Sequence, residues 1–427
     1  MFRRTQLKAV SFWSIPLIYA AGGLALGAML PRMELVYFRR LAFTVNVDSA
    51  RAIFSSVASG TIALTAIVFS LAFVMTQFSA IAYSPRLVSW ISQDPVLQHA
   101  LGIFTATFLY AITALGWIGR TSATHVPFIT AWMVIVLLVA SIIVFMRLMQ
   151  RLSLLQVSRV LRSTGDRGRQ VIETMYPQSA SKREEADNTE FQRVPISQRL
   201  VHCGRPRIIQ AINVLRLVAL ASSVDGIIEM NAAVGDSVVE GTSLLVVRGA
   251  SRQLKEGRLR RAIQTGNERT FEQDPKYAIR LLVDIAIRAL SPAVNDPTTA
   301  VQALDEIEDL LHRLGTRQLE VESIRDDKGN LRLVTLLPTW DDILRLALDE
   351  IRLYGATSIQ TMRRMKALAR GLIEDLPEKR EGMLHHYMDR IDATIARSFP
   401  DPEDRAEAAT EDRQGLGVHR RQSAMGN

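Results

Sequence analysis

Four long apolar stretches fill the first third of the chain: Phe12–Leu30, Ile53–Ala82, Ala100–Ile118 and Val126–Met146. None contains Asp, Glu, Lys, Arg or His. Each reaches or passes the ~18–20 residues that a helix needs to cross the hydrocarbon core of a bilayer. Four uncharged runs of that length predict an integral membrane α-helical bundle of four spans over residues 1–150.

The second stretch differs from the others. At thirty residues it exceeds one perpendicular crossing, so it is tilted or continues beyond the bilayer. Ser56, Ser59, Ala63, Ala66, Ser70, Phe73 and Gln77 recur at spacings of three and four, which puts them on one helical face. Ser55, Thr61, Thr65, Thr76 and Ser79 add further hydroxyls. Two readings follow. Small residues favour close helix packing, which replaces the missing hydrophobic drive inside lipid. The same residues could instead line a water-filled path, for which the candidates are Ser56, Ser59, Ala63, Ala66, Ser70 and Gln77.

Beyond the spans the pattern changes to that of a cytoplasmic α+β region. Residues 151–197 combine a basic amphipathic helix with a linker marked by Pro177, Ser179, Ser181 and a charged run through Glu190. Alternating valines between glycine turns predict a small β module over 198–250. A mostly helical region, 251–398, is interrupted near 318–337 by a hairpin. Its strands, Gln318–Ile324 and Leu331–Leu337, are joined by Asp326-Asp327-Lys328-Gly329-Asn330. The polar tail, 399–427, has the composition of a disordered segment.

Charge sets the topology. The chain carries a net +8 with a pI near 9.8, but the excess lies around the spans. The first 150 residues hold ten Lys/Arg against Glu34, Asp48 and Asp94, and the rest is balanced at 41 basic and 40 acidic residues. That balance shows no footprint for nucleic acid. Arg3, Arg4 and Lys8 precede the first span. Arg147, Arg151, Arg159, Arg162, Arg167 and Arg169 follow the fourth and outweigh Arg32, Arg39, Arg40 and Arg51 in the first loop. The positive-inside rule then places both termini in the cytoplasm. The basic start and the apolar run to Ala28 also fit a signal peptide, but cleavage would leave three spans and export the C-terminal half.

Candidate chemistry is sparse. Cys203 is the only cysteine, and His385 and His386 are adjacent rather than spaced as a chelating pair, so no metal site is expected. No Ser/His/Asp arrangement, P-loop, Rossmann fingerprint or metal-hydrolase motif appears, so neither enzyme nor cofactor is expected. Gly165-Asp166-Arg167-Gly168 is too short to cradle a phosphate. The uncharged stretches also lack the intramembrane ionisable groups of a coupled transporter.

Two segments stand out. Asp225-Gly226-Ile227-Ile228-Glu229, Val234-Gly235-Asp236 and Gly241 before Leu244-Leu245-Val246-Val247 resemble half of a biotinyl/lipoyl-type hammerhead. Where the carrier domains place their modified lysine, this chain has Arg248-Gly249-Ala250, so the resemblance implies a structural module. The second segment pairs Asp274-Pro275 with Ser291-Pro292 and Asn295-Asp296-Pro297, and reads as two capped helices joined by a tight corner. Alternatively Arg280, Asp284, Arg288, Asn295 and Asp296 form a pocket for a small anionic ligand or headgroup.

Ser291-Pro292-Ala293-Val294-Asn295-Asp296-Pro297-Thr298-Thr299-Ala300, with Glu268-Arg269-Thr270 and Gln273-Asp274-Pro275 before it, resembles the bacterial predicted-membrane-protein family called domain of unknown function 2254. Gln77-Phe78-Ser79, Ser84-Pro85-Arg86, Leu101-Gly102-Ile103-Phe104 and Ile351-Arg352-Leu353-Tyr354-Gly355-Ala356 agree with it, over about residues 10 to 375. The family's usual Gly-Tyr-type segment before the β module is Ser222-Ser223-Val224-Asp225-Gly226 here. The resemblance implies a membrane topology and no assigned reaction, and the expected location is the bacterial inner (plasma) membrane. Two functions are therefore expected. One is a homo-oligomeric channel lined by the second span with a cytoplasmic vestibule or gate. The other is a membrane-anchored scaffold or sensor that binds a protein or small anion near Arg280 and Arg288.

Overall fold

The computed structural model describes residues 14–37, 45–82, 95–120, 125–152, 157–176, 190–317, 319 and 322–417. The chain divides into two units, Met1–Gln156 and Val157–Asn427. Four long apolar helices are followed by a mixed α+β region with two small sheets, as the sequence predicts.

The first unit contains α1 (Ser14–Tyr37), β1 (Val45–Asn46), α2 (Val47–Ala82), α3 (Pro95–Arg120), β2 (His125–Val126) and α4 (Phe128–Leu152). All four helices are long and apolar enough to cross a membrane. At about 1.5 Å per residue, the 36 residues of α2 run roughly 54 Å, well beyond a perpendicular crossing of ~30 Å. Strands β1 and β2 pair antiparallel, Val45 with Val126 and Asn46 with His125.

Helix α3 is the hub on which α1, α2 and α4 pack. Ala100, Phe104, Tyr110, Ala111 and Ala114 of α3 are fully buried. Glycines bring α1 onto it. A Cβ added at Gly23 would lie 2.7 Å from the Ala106 Cα, and one at Gly27 would lie 3.0 Å from the Thr113 Cβ. Only residues without side chains permit this approach, so Gly23 and Gly27 form a small-xxx-small contact with α3. On the α3–α4 side, the Thr107 and Ser141 hydroxyls lie 3.0 Å apart, and the Tyr110 hydroxyl donates to the Thr130 carbonyl at 3.0 Å. Large apolar side chains such as Ile18, Met29, Phe69, Trp132 and Ile143 point outward, the inside-out arrangement of a bundle solvated by lipid.

The helices outrun the apolar stretches. Helix α1 continues through Pro31, Arg32 and Glu34 to Tyr37, so the first span carries a carboxylate that the uncharged run Phe12–Leu30 excludes. Burial of Glu34 is tolerated because it caps α4. It accepts from the Ile129 N–H at 2.7 Å, the Thr130 N–H at 2.9 Å and the Thr130 hydroxyl at 3.0 Å. These backbone donors belong to the start of α4, where helix N–H groups have no partner in their own helix.

The second unit begins with α5 (Val157–Met175), whose buried stripe includes Val160, Leu161, Val171 and Ile172. Gly165 and Gly168 lie within this helix, and a Cβ at Gly168 would lie 2.8 Å from the Leu310 Cδ1. They are close-packing positions rather than a loop. After a 3₁₀ turn at Glu190–Arg193 come β3 (Ile196–Val201), β4 (Arg207–Ile212), α6 (Val214–Ser222), β5 (Ile227–Met230), β6 (Ser237–Val238), β7 (Ser243–Arg248), α7 (Glu256–Arg260) and β8 (Ile263–Gly266). Helices α8 (Pro275–Ala289) and α9 (Pro297–Gly315) precede the hairpin β9 (Glu322–Arg325) and β10 (Leu331–Thr335). Helices α10 (Trp340–Tyr354), α11 (Ile359–Asp375), α12 (Glu381–Ser398) and α13 (Pro402–Ala409) complete it.

The larger sheet has the order β3-β7-β5-β10-β9 and the smaller β6-β4-β8. The hairpin extends the sheet begun by residues 196–248, with β10 parallel to β5. Gly235 and Gly241 turn the chain at φ +91 and +83, the region glycine enters at least cost. Leu200, Ile209, Leu217, Ile228, Leu245, Val247 and Leu333 form the core beneath.

Helices α5, α8, α9 and α10 pack against one another, with α11 and α12 beyond. Arg169 of α5 reaches Glu306 at 3.0 Å and Asp309 at 2.7 Å on α9. The tail is more ordered than its composition predicts. Asp401 caps α13 through the Glu403 and Asp404 N–H groups, Pro402 occupies its first turn, and Ala408 is buried. Arg363 of α11 pairs with Glu407. Tertiary anchoring supplies what the polar sequence of 402–409 lacks, and residues 418–427 lie outside the described ones.

Candidate functional site

The small-residue face of α2 is turned away from its own bundle. Ser56, Ser59, Ala63, Ala66 and Ser70 are all exposed, and so are Ser55 and Gly60. A Cβ built on Gly60 meets nothing within 4 Å. The opposite side of the helix carries the intrachain packing through Ala50, Phe54, Val57, Ala58, Thr61 and Val68. The packing expected of the small residues is therefore not made within the first unit. The side chain of Gln77 lies outside the described residues.

The outward surface of α4 provides the contrast. Its exposed residues include Trp132, Val136, Val139, Ile142, Ile143 and Met146, all large and apolar. Helix α2 exposes hydroxyls and small side chains beside Ile62, Ile67 and Phe69. Thr61 and Thr65 satisfy their hydroxyls on the preceding turn, donating at 2.7 Å to the Val57 and Thr61 carbonyls.

The corner between α8 and α9 is built by local hydrogen bonds. Asp296 caps α9, accepting from the Thr299 N–H at 3.1 Å and the Thr299 hydroxyl at 2.6 Å. Asn295 takes a left-handed φ of +50 and donates its backbone N–H to the Ser291 carbonyl at 2.9 Å. Asp274, the expected cap of α8, makes no side-chain capping bond. Its carboxylate meets Arg269 at 2.6 Å instead, and burial lifts its proton affinity against that arginine.

Arg280 joins Asp284 at 2.6 Å and Glu350 of α10. The hydrogen bond that Arg280 donates to Glu350 leads the shift of its guanidinium above the ordinary range. Arg280 thus meets a carboxylate 70 residues away that no local spacing reveals, while Asp296 faces Thr299 and Arg288 occupies the last turn of α8. Arg248 bonds Glu229 at 2.8 Å and the Val194 carbonyl at 2.9 Å, stapling β7 to β5 and to the segment before β3. Among the described residues no cluster of His, Cys, Asp and Glu could hold a metal ion.

The family described as "Predicted membrane protein (DUF2254)" matches residues 9–370. The chain belongs to the DUF2254 family. Uncharacterized proteins of Mycobacterium bovis and Mycobacterium tuberculosis are each 26% identical to it over 408 residues, covering 92% of this chain and 78% of theirs. No solved structure matches. The DUF2254 match runs across both units, so the four spans and the α+β region are parts of one family architecture.

Sequence reasoning missed two features of this DUF2254 chain. The Gly23-x-x-x-Gly27 spacing was legible as a close-packing signal. Glu34 was visible as an acid just past an apolar run, but its partners at Ile129 and Thr130 lie 95 and 96 residues further on.

Proposed function

We propose that this DUF2254 protein is the subunit of a homo-oligomeric channel in a bacterial inner membrane. In the assembly the α2 helices of several copies meet around a path lined by Ser56, Ser59, Ala63, Ala66 and Ser70. The observation that carries this reading is the exposure of that whole face while the opposite face of α2 packs in the bundle. Small, hydroxyl-bearing faces gain from close helix contact in lipid, whereas large apolar ones are well solvated by acyl chains. One four-span subunit is too small to enclose a pathway, so the reading requires closed cyclic assembly. Both termini are assigned to the cytoplasm from the arginines after the fourth span, which makes the second unit a cytoplasmic vestibule or gate.

The scaffold or sensor reading at Arg280 and Arg288 has less support, because Arg280 is already held by Asp284 and Glu350. The test is single-channel recording from purified protein in planar bilayers, with native mass spectrometry of the same preparation. The wild type gives discrete openings and an oligomer, and Ser70→Trp narrows or removes the openings while the oligomer persists. A folded, inserted protein that is strictly monomeric, or oligomeric and electrically silent, overturns the channel.

A further inference from the structure

Several helices of the second unit begin or end in one place. Helix α9 runs beside α5 in the same direction: Gly165 and Gly168 lie against Glu306 and Leu310, and Glu173 meets Arg313 at 3.1 Å. Helix α11 follows α9 in the same sense, with Arg364 on Asp305 at 2.8 Å and Leu376 against Gly315. The starts of α5, α9 and α11 are therefore level. The α8–α9 corner and the α10–α11 turn lie there too, because they lead directly into α9 and α11. The tail returns to the same end, where Gly415 packs on Gln360 and Val301.

This end is apolar on its outside. Among the described residues from 251 onward, the exposed large hydrophobic side chains are Val294, Leu336, Leu353, Tyr354 and Leu416. All but Leu336 belong to this end, and Leu353 is 60% exposed. The backbone between them is closed on itself. The Val294 and Asn295 N–H groups donate to the Ser291 carbonyl at 3.0 and 2.9 Å, and the Asp296 N–H to the Ala289 carbonyl at 2.8 Å. In the other turn the Gly355 N–H donates to the Ile351 carbonyl at 2.8 Å and the Ser358 N–H to the Gly355 carbonyl at 2.9 Å. Loops bonded in this way can leave water without stranding those donors. Arg159 and Arg162 are exposed in the first turns of α5. In sequence, residues 153–156 alone separate α5 from α4, whose apolar window ends at Gln150. That stretch of chain reaches no more than about 18 Å, so the start of α5 is tied within reach of lipid headgroups.

We propose that this end of the second unit docks on the bilayer surface, with Val294, Leu353, Tyr354 and Leu416 entering the headgroup–acyl boundary and Arg159 and Arg162 meeting anionic headgroups. Apolar side chains beside basic ones, with a tyrosine at the boundary, are what such a surface takes up. The acidic start of α13 (Asp401, Glu403 and Asp404) packs on α11 and α12, whereas α5 packs on α8 and α9. The docking is independent of the channel reading and stands or falls without it.

The test is electron paramagnetic resonance on the full chain in nanodiscs of phosphatidylcholine with phosphatidylglycerol. Cys203, exposed and the only cysteine, is first replaced by serine. A nitroxide is then attached through Leu353→Cys, Val294→Cys or, as the control beyond the far end of α11, Lys379→Cys. All three positions are exposed, so the label displaces no core residue. Docking gives the nitroxides at 353 and 294 more collisions with oxygen, which dissolves in lipid, than with a water-soluble nickel chelate, and gives the one at 379 the reverse. Adding Arg159→Gln and Arg162→Gln moves the 353 nitroxide back toward the chelate, since each basic residue near an anionic surface strengthens attachment about fivefold. Chelate access at 353 and 294 equal to that at 379 overturns the proposal. Exclusion of both quenchers overturns it as well, because protein then covers this end. Oxygen access that the double variant leaves unchanged overturns the headgroup contact of the two arginines.

Discussion

Replacing Gly23 by alanine adds one methyl group where α1 lies against the backbone of α3. That carbon would sit 2.7 Å from the Ala106 Cα and 2.9 Å from the Ala106 carbonyl carbon. Ordinary carbon–carbon contacts lie at about 3.5–4.0 Å, so α1 and α3 must part by roughly 1 Å at this point. A gap of that size forfeits about a quarter to a half of the attraction of each atom pair along the contact. The summed cost falls in the usual overpacking range, about 1–3 kcal/mol. The neighbouring residue supplies the control. A Cβ at Gly22 meets nothing within 4 Å, and alanine there gains up to ~1 kcal/mol of helix propensity. The two single-methyl variants, one residue apart on the same helix, should therefore shift stability in opposite directions. Unfolding of the purified protein by sodium dodecyl sulfate in mixed micelles, followed by circular dichroism, reads both. Equal stability for Gly22→Ala and Gly23→Ala would refute the α1–α3 contact.

Glu34→Ala strips three acceptor bonds from the start of α4 and should destabilise the same micellar transition by about 2 kcal/mol or more, given the worth of bonds to charged groups. A loss below the scatter of the assay would mean that water or lipid replaces the cap. In the hairpin, Arg332, helped by the Asn330 and Lys328 N–H groups, holds the Asp326 carboxyl down at about 2 from an ordinary 3.8. A depressed carboxyl stabilises the fold fully above its unfolded value and loses that contribution as pH falls toward the folded one. Wild type should therefore lose more thermal stability between pH 4 and pH 2 than Asp326→Asn does, and parallel melting curves would rule the interaction out.

The four helices were legible because an uncharged run of span length seldom occurs outside a membrane helix. Their ends were not, because hydropathy registers the bilayer core rather than the helix. Helix α1 therefore passes Arg32 and Glu34 once a distant helix start satisfies the carboxylate. The Asp296 cap could be read locally, since donor and acceptor lie three residues apart. Asp274 looked the same in sequence, yet Arg269 claims its carboxylate. The exposure of the α2 face could not be read at all. Periodicity says which residues share a side, while only the packed bundle says which side is used.

The pairing of β10 beside β5 also bears on how this protein is made. Ile228 and Leu333 are register partners, so an inner strand of the sheet stays half-bonded until a segment about a hundred residues later has left the ribosome. Such distant pairings close slowly, and translation delivers the membrane helices long before the sheet can finish. The nascent chain therefore passes through a stage with its spans synthesised and an open strand edge at β5, a natural handle for a chaperone and a point at which premature termination yields an aggregating fragment.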